Sequence, residues 1–218
     1  MPRFMSWQCP RDQPFHHPMP RKNLTLPPSQ WPIEIKHLTT QAYALDMPTT
    51  LQNRIKGPAP PRPAPKTGLV RIQWLQTPGH PAYGQRGLFA AQKIAPATFI
   101  LDYFGEVHSD ERVQSDYDLC ISRWSDEEGG VVSIGIDAQF MGNEARFIND
   151  YRGTGSLRAN AEFRDRIAGG ELRMSVWSGP KGLKKGEEIL MSYGKGWWAA
   201  RNKSRSEGSE ATEVNHSS

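Results

Sequence analysis

Fourteen of the chain's 18 prolines fall within its first 66 residues, and that distribution restricts where regular structure can form. Each proline ring fixes φ and removes a backbone donor, so such a stretch resists both helix and sheet. The run GPAPPRPAPK at residues 57–66 closes the segment and reads as an extended, stiff polyproline II linker. Residues 1–66 are therefore expected to form a proline-rich basic arm that is largely disordered. Residues 31–55 within it (WPIEIKHLTTQAYALDMPTTLQNRI) carry enough apolar side chains to dock as a short arm, which is the alternative. Residues 201–218 are polar and read as a disordered tail. A folded unit over residues 67–200 remains.

Charge follows the same division. Residues 1–66 hold nine Lys+Arg against three Asp+Glu, and residues 67–218 hold eighteen against twenty. The net charge of +4 thus belongs to the arm. The near-neutral remainder suits a basic peptide better than a phosphate backbone, so no direct nucleic-acid binding is expected of the folded unit. The 218 residues leave room for one domain of ordinary size. No run of eighteen apolar residues occurs, and the N-terminal MPRFMSWQCPRDQPF has proline and charge where a secretory segment would be apolar. The reading is an intracellular protein with no membrane partner. Two cysteines, Cys9 and Cys120, are too few for a disulfide framework or a cysteine-rich zinc cluster, so no metal is expected.

The middle of the chain reads as short strands cut by turns. LVRIQWL (69–75) alternates apolar and polar residues, and FILDYFGEV (99–107), VVSIGIDA (131–138), ELRMSVWSG (171–179) and EEILMSY (187–193) read likewise. Residues 110–116 and the NEARFIND segment each have room for one or two helical turns. The fold class is mostly β (α+β), built from several small sheets.

Four segments carry chemistry: QRGLFA at 85–90, FILDYFGEV at 99–107, GNEARFINDY at 142–151 and GEEILMSYG at 186–194. In this order they resemble the signature motifs of the SET-domain family of protein lysine methyltransferases. The resemblance covers residues 69–198 and implies the SET fold with a knot-like threading of the C-terminal motif. It also implies transfer of a methyl group from S-adenosylmethionine to the side-chain amine of a protein lysine. The partner would be a basic protein or peptide, with a histone tail as a candidate, and the nucleus is favoured over the cytoplasm.

Residue by residue, the resemblance implies that Tyr193 and Tyr103 are the catalytic tyrosines. Arg86, Gly87 and Leu88 match the glycine-containing cofactor loop, although Gln85 stands where its first glycine is usual. Asn149 matches the asparagine that holds the cofactor's amino group, and Asp150 stands where histidine is more usual. Tyr193 and Trp197 complete the cofactor set. Tyr103, Tyr117 and Met191 match the substrate channel, and Met191 stands where phenylalanine or tyrosine influences how many methyls are added. Each residue also has a plainer reading. QRGLFA alone fits a hairpin turn, and a lone tyrosine in a strand fits structural packing. Glu187 with Glu188 fits a solvated charge pair, the alternatives being a pair that holds a helix or strand end or rims the substrate cleft. At the level of the whole chain, the rivals are a catalytically silent SET domain that binds peptides or chromatin, and a proline-rich arm that recruits a polyproline-binding partner.

Overall fold

A computed structural model of the protein describes residues 26–58, 60, 63, 65, 67–126, 128–194 and 198. In chain order the elements are β1 (Lys36–His37), β2 (Ala42–Tyr43), α1 (Thr49–Lys56), β3 (Val70–Trp74), β4 (Arg86–Ala90), β5 (Phe99–Asp102), β6 (Glu106–His108) and β7 (Asp118–Ser125). They continue with β8 (Val131–Asp137), β9 (Met141–Gly142), a 3-10 turn (Glu144–Phe147), β10 (Asn149–Asp150), β11 (Ala161–Ala168), β12 (Glu171–Ser178) and β13 (Leu190–Met191). The strands form five small sheets, ordered β2-β6-β8-β7, β11-β12-β5, β3-β4, β1-β9 and β10-β13.

Period-two patterning explains the longer strands. In β8, Ile134 and Ile136 are fully buried, and in β4 Leu88 and Ala90 are fully buried. These residues join Ile72, Ile100, Val107, Val176 and Ile189 in one apolar cluster shared by the sheets. The EEILMSY segment makes less strand than its pattern predicts. Glu188 bridges Phe89 of β4, and only Leu190–Met191 pairs as a strand, because the segment leaves one sheet to reach another. Residues 110–116 form turns rather than helix.

One buried polar network fixes the β11-β12-β5 register. Asp102 is fully buried and accepts from Arg166 (2.8 and 2.9 Å), Arg173 (3.0 Å) and Ser175 Oγ (2.7 Å). Arg166 and Arg173 stand directly opposite each other, so the carboxylate between them offsets their repulsion. Arg173 also donates to Glu171, whose other oxygen accepts from Tyr43 Oη at 2.9 Å.

That last contact belongs to the segment expected to be largely disordered, and here the structure corrects the sequence reading. Residues 31–56 are ordered against the core. β1 pairs in parallel with β9, β2 pairs in parallel with β6, and Leu38, Ala44, Met47 and Ile55 are buried. Pro48 precedes α1, where its missing N–H costs no helical hydrogen bond, and Gly57 at φ 65° ends it. Arg54 lies over the Trp124 ring at 4.1 Å and Lys56 over Tyr43 at 5.6 Å, so the last turn grips the sheets by cation–π contact. Proline density measures the cost of regular secondary structure over the whole arm, whereas residues 31–56 contain only Pro32 and Pro48.

Ile55, 2% exposed, is the simplest test of this docking. Ile55→Ala is expected to destabilise the protein by about 2–4 kcal/mol in urea unfolding, the usual cost of such a cavity. A loss below about 0.5 kcal/mol would place α1 outside the cooperative core.

Candidate active site

The third and fourth motifs come together through β10 and β13. Their parallel register sets Asn149 beside Leu190 and Asp150 beside Met191, and Tyr151 N–H donates to Met191 O at 2.9 Å. Asp150 reinforces the pairing with its side chain. One carboxylate oxygen accepts from Tyr193 N–H at 2.7 Å and from the Trp198 indole at 3.3 Å, and the other accepts from Arg152 N–H at 2.8 Å. Arg152 Nη1 reaches both oxygens, at 2.9 and 3.1 Å. Burial alone would raise the Asp150 pKa. The N–H donors of Tyr193, Arg152 and Trp198 outweigh it and hold the carboxyl below its usual range.

The two tyrosines expected to be catalytic each donate a hydroxyl hydrogen bond to a backbone carbonyl. Tyr193 Oη donates to Ile148 O at 2.6 Å, and Tyr103 Oη donates to Tyr117 O at 2.8 Å. Burial above all pushes both phenol pKas far above the ordinary value, and at Tyr193 the Asp150 carboxylate adds to it. Both therefore stay protonated at neutral pH. Arg146 supports the wall: its Nε donates to Ala138 O at 2.9 Å and its guanidinium lies 4.3 Å from the centre of the Tyr117 ring.

Two cavities meet at these residues. The larger, about 470 Å³, is lined by Trp74, Gly84, Gln85, Arg86, Asn149 and Tyr193, among others, and Pro32, Glu34 and Ile35 of the docked arm form part of its wall. The smaller, about 90 Å³, is lined by Tyr103, Leu119, Ile148, Phe163 and Tyr193, among others. Asp116, Tyr117, Arg146 and Tyr193 line both. Among the described residues, no group of three or more His, Cys, Asp or Glu is placed to hold a metal, and no helix is long and apolar enough to cross a membrane.

The residues singled out from sequence divide accordingly. Arg86 and Asn149 line the larger cavity, Tyr103 the smaller, and Tyr117 and Tyr193 both. Gly87 and Leu88 lie further along β4, do not line either cavity, and are buried; the loop contributes Gly84, Gln85 and Arg86 instead. The Asp150 side chain is turned into the β10–β13 junction. Met191 is 1% exposed and lines a different cavity with Ala161 and Phe163. Trp197 lies outside the described residues. Sequence reasoning missed Trp74, Arg146 and His80, and favoured a solvated charge pair for Glu187 and Glu188, whereas the Glu188 side chain is 13% exposed. A tryptophan shortly ahead of the glycine loop was the available signal for the first.

Comparison with known proteins places the fold. The family model of the SET domain matches residues 85–194, just over half of the chain, and the chain belongs to this family. It is similar to the histone-lysine N-methyltransferase ASHH3 of Arabidopsis thaliana, with 29% identity over 119 residues, 49% of this chain and 29% of that one. ASHH4 of the same plant is 28% identical over 118 residues, 49% of this chain and 30% of that one. The match thus spans under a third of the length of these curated relatives. The crystal structure of ATXR5 in complex with histone H3.1 superposes with a TM-score of 0.51 at 16% identity, covering 73% of this chain and 81% of that one, and shares the fold.

SET-domain methyltransferases take S-adenosylmethionine as methyl donor. The larger cavity fits that cofactor. Its volume lies in the range of small-molecule sites. Arg86 Nε is buried with no protein partner, and its guanidinium stacks on Trp74 at 4.2 Å, leaving a cationic donor at the wall for a carboxylate. Asn149 supplies a neutral amide to the same cavity.

Asp150 holds the Tyr193 backbone in place, so its ionisation matters to stability. Because its folded pKa is depressed, its contribution is present above the unfolded carboxylate pKa of about 3.9 and is lost as pH falls through the lower folded value. Asp150→Asn is expected to cost about 1.5–3 kcal/mol at pH 7, the worth of hydrogen bonds to a charged group. The gap to the parent should close as chemical unfolding is repeated below about pH 4. A gap that is the same at pH 3 and pH 7 would contradict this role.

Proposed function

We propose that this chain transfers a methyl group from S-adenosylmethionine to the side-chain amine of a protein lysine. The observation that carries the reading is the shared wall. A cofactor-sized cavity and a narrow aromatic channel have Tyr117 and Tyr193 in common, so a lysine stem in one would bring its nitrogen to the edge of the other. Bound there, the cofactor supplies an electrophilic methyl on a sulfonium that leaves readily.

The chain's own residues do the positioning. The rings of Tyr103, Tyr117 and Phe163 enclose an aliphatic stem and exclude water from it. The hydroxyls of Tyr193 and Tyr103 donate to Ile148 O and Tyr117 O, and a phenol oxygen held in this way keeps its acceptor character. An amine that donates its N–H to these oxygens has its lone pair turned toward the methyl. Neither phenol is a base at neutral pH, so the ammonium proton leaves to water. Arg86 holds the carboxylate end of the cofactor, and Asn149 its amino group.

Asp116 and Asp118 line the channel and favour a basic peptide. Both ASHH3 and ASHH4 carry histone-lysine N-methyltransferase in their names, so a histone tail is the substrate we propose, and the nucleus the place of action. The working unit extends N-terminally beyond residue 67, because Pro32, Glu34 and Ile35 help wall the cofactor cavity.

Tyr193→Phe tests the reading. Methyl transfer to bulk histone is expected to fall about a hundredfold, or about 2–4 kcal/mol in barrier. Calorimetric affinity for S-adenosylmethionine should stay within about twofold, since the lost interaction belongs chiefly to the transition state. Parent-rate turnover by the variant would refute the role of Tyr193. A parent protein that binds the cofactor but methylates nothing in a histone or whole-extract assay would establish the silent binding module instead.

A further inference from the structure

We propose that Glu188 is a positioning residue that locks the Asn149 amide, so that its carbonyl oxygen, not its NH2 group, meets the α-ammonium of the cofactor. The proposal rests on the assignment of the larger cavity to S-adenosylmethionine.

Glu188 belongs to the fourth motif, where two adjacent glutamates read as a solvated pair. Its side chain is instead 13% exposed and sits beneath β4, where Glu188 bridges Phe89 and Ile189 N–H donates to Leu88 O at 2.8 Å. Both carboxylate oxygens accept. Asn149 Nδ2 donates to Oε1 at 3.0 Å, and His80 Nε2 lies 3.2 Å from Oε2. The histidine tautomer follows from its other nitrogen. His80 Nδ1 accepts from Ala82 N–H at 3.0 Å and so carries no proton, which puts the proton on Nε2 as a donor to Glu188. The imidazole side chain is 6% exposed, so this arrangement is shielded from water.

An asparagine amide can present either edge, and the two edges fit opposite ligands. With Nδ2 held by a carboxylate, turning the amide over would set Oδ1 against an anionic oxygen with no proton between them. Glu188 therefore leaves Oδ1 as the edge for whatever occupies the cavity that Asn149 lines. An acceptor there selects an ammonium.

Gly87 shows how closely the lock is built. A Cβ at this position would stand 3.0 Å from Glu188 Oε1, 3.1 Å from Phe89 Cε2 and 3.3 Å from Leu75 Cδ1. The glycine of the second residue pair in QRGLFA thus makes room for the carboxylate, not for the ligand. In this way the His80 loop, the glycine strand, Asn149 and Glu188 become one unit.

The test compares two nucleosides by calorimetry. S-adenosylhomocysteine carries the α-amino group, and 5′-methylthioadenosine lacks it. Glu188→Gln removes the anion that fixes the amide, and is expected to weaken S-adenosylhomocysteine binding about tenfold or more, the worth of one hydrogen bond to a charged group, while 5′-methylthioadenosine binds as it does to the parent. Equal loss for both ligands, or loss for neither, overturns the proposal while leaving the cavity assignment intact. A parent protein that binds neither ligand overturns both. Should Glu188→Gln lose its cooperative melt, the exchanged pair Asn149→Asp with Glu188→Gln keeps a donor facing an acceptor and carries the same test. S-adenosylhomocysteine affinity within about threefold of the parent is then expected, and affinity tenfold weaker would overturn the lock.

Discussion

The junction of β10 with β13 is the constraint on which the rest of the site depends. Two residues from each segment pair in parallel, far too few to hold themselves. The Asp150 carboxylate supplies what the short ladder lacks by accepting the N–H groups of Tyr193 and Arg152 and the indole of Trp198. Because the same two segments carry Ile148, Asn149 and Tyr193, fixing the junction fixes the Tyr193 hydroxyl on Ile148 O and the Asn149 amide on Glu188. The cofactor-sized cavity, the channel and their common wall all follow from this one crossing.

Buried charge recurs as the means of fixing such short elements. Asp102 sets the register of three strands, Glu171 ties Tyr43 of the arm to β12, and Glu188 joins three separate loops and strands. Paired buried charges add little net stability over apolar packing, but breaking one leaves an uncompensated ion that costs several kcal/mol. Sheets of two to four strands gain from that asymmetry, since it penalises wrong registers more than it rewards the right one.

Much of this architecture was legible. Strands β3, β8 and β12 follow from alternation, and motif order singles out Tyr103, Tyr117, Arg86, Asn149 and Tyr193, which line the two cavities. β11, reading AEFRDRIA, was missed although Ala161, Phe163 and Ile167 alternate with charged residues, because four charges in eight residues masked the apolar face. The docking of residues 31–56 was obscured by proline density averaged over a longer arm. The burial of Glu188, read as half of a solvated charge pair, was hidden for a different reason. A carboxylate's burial is decided by partners distant in sequence, Asn149 and His80, and no local pattern records them. For Asp150, motif matching marked the departure from histidine but not its use, since the hydrogen bond to Tyr193 N–H spans 43 positions.

The central claim is that the cavity beside Tyr193 is the cofactor site. A crystal structure of the protein with S-adenosylhomocysteine tests it most directly. The ligand is expected in the cavity of about 470 Å³, with its carboxylate on Arg86, its amino group on Asn149 Oδ1 and its sulfur facing the Tyr193 hydroxyl. A ligand bound elsewhere, or one whose sulfur lies away from the wall shared with the Tyr103 channel, would contradict it.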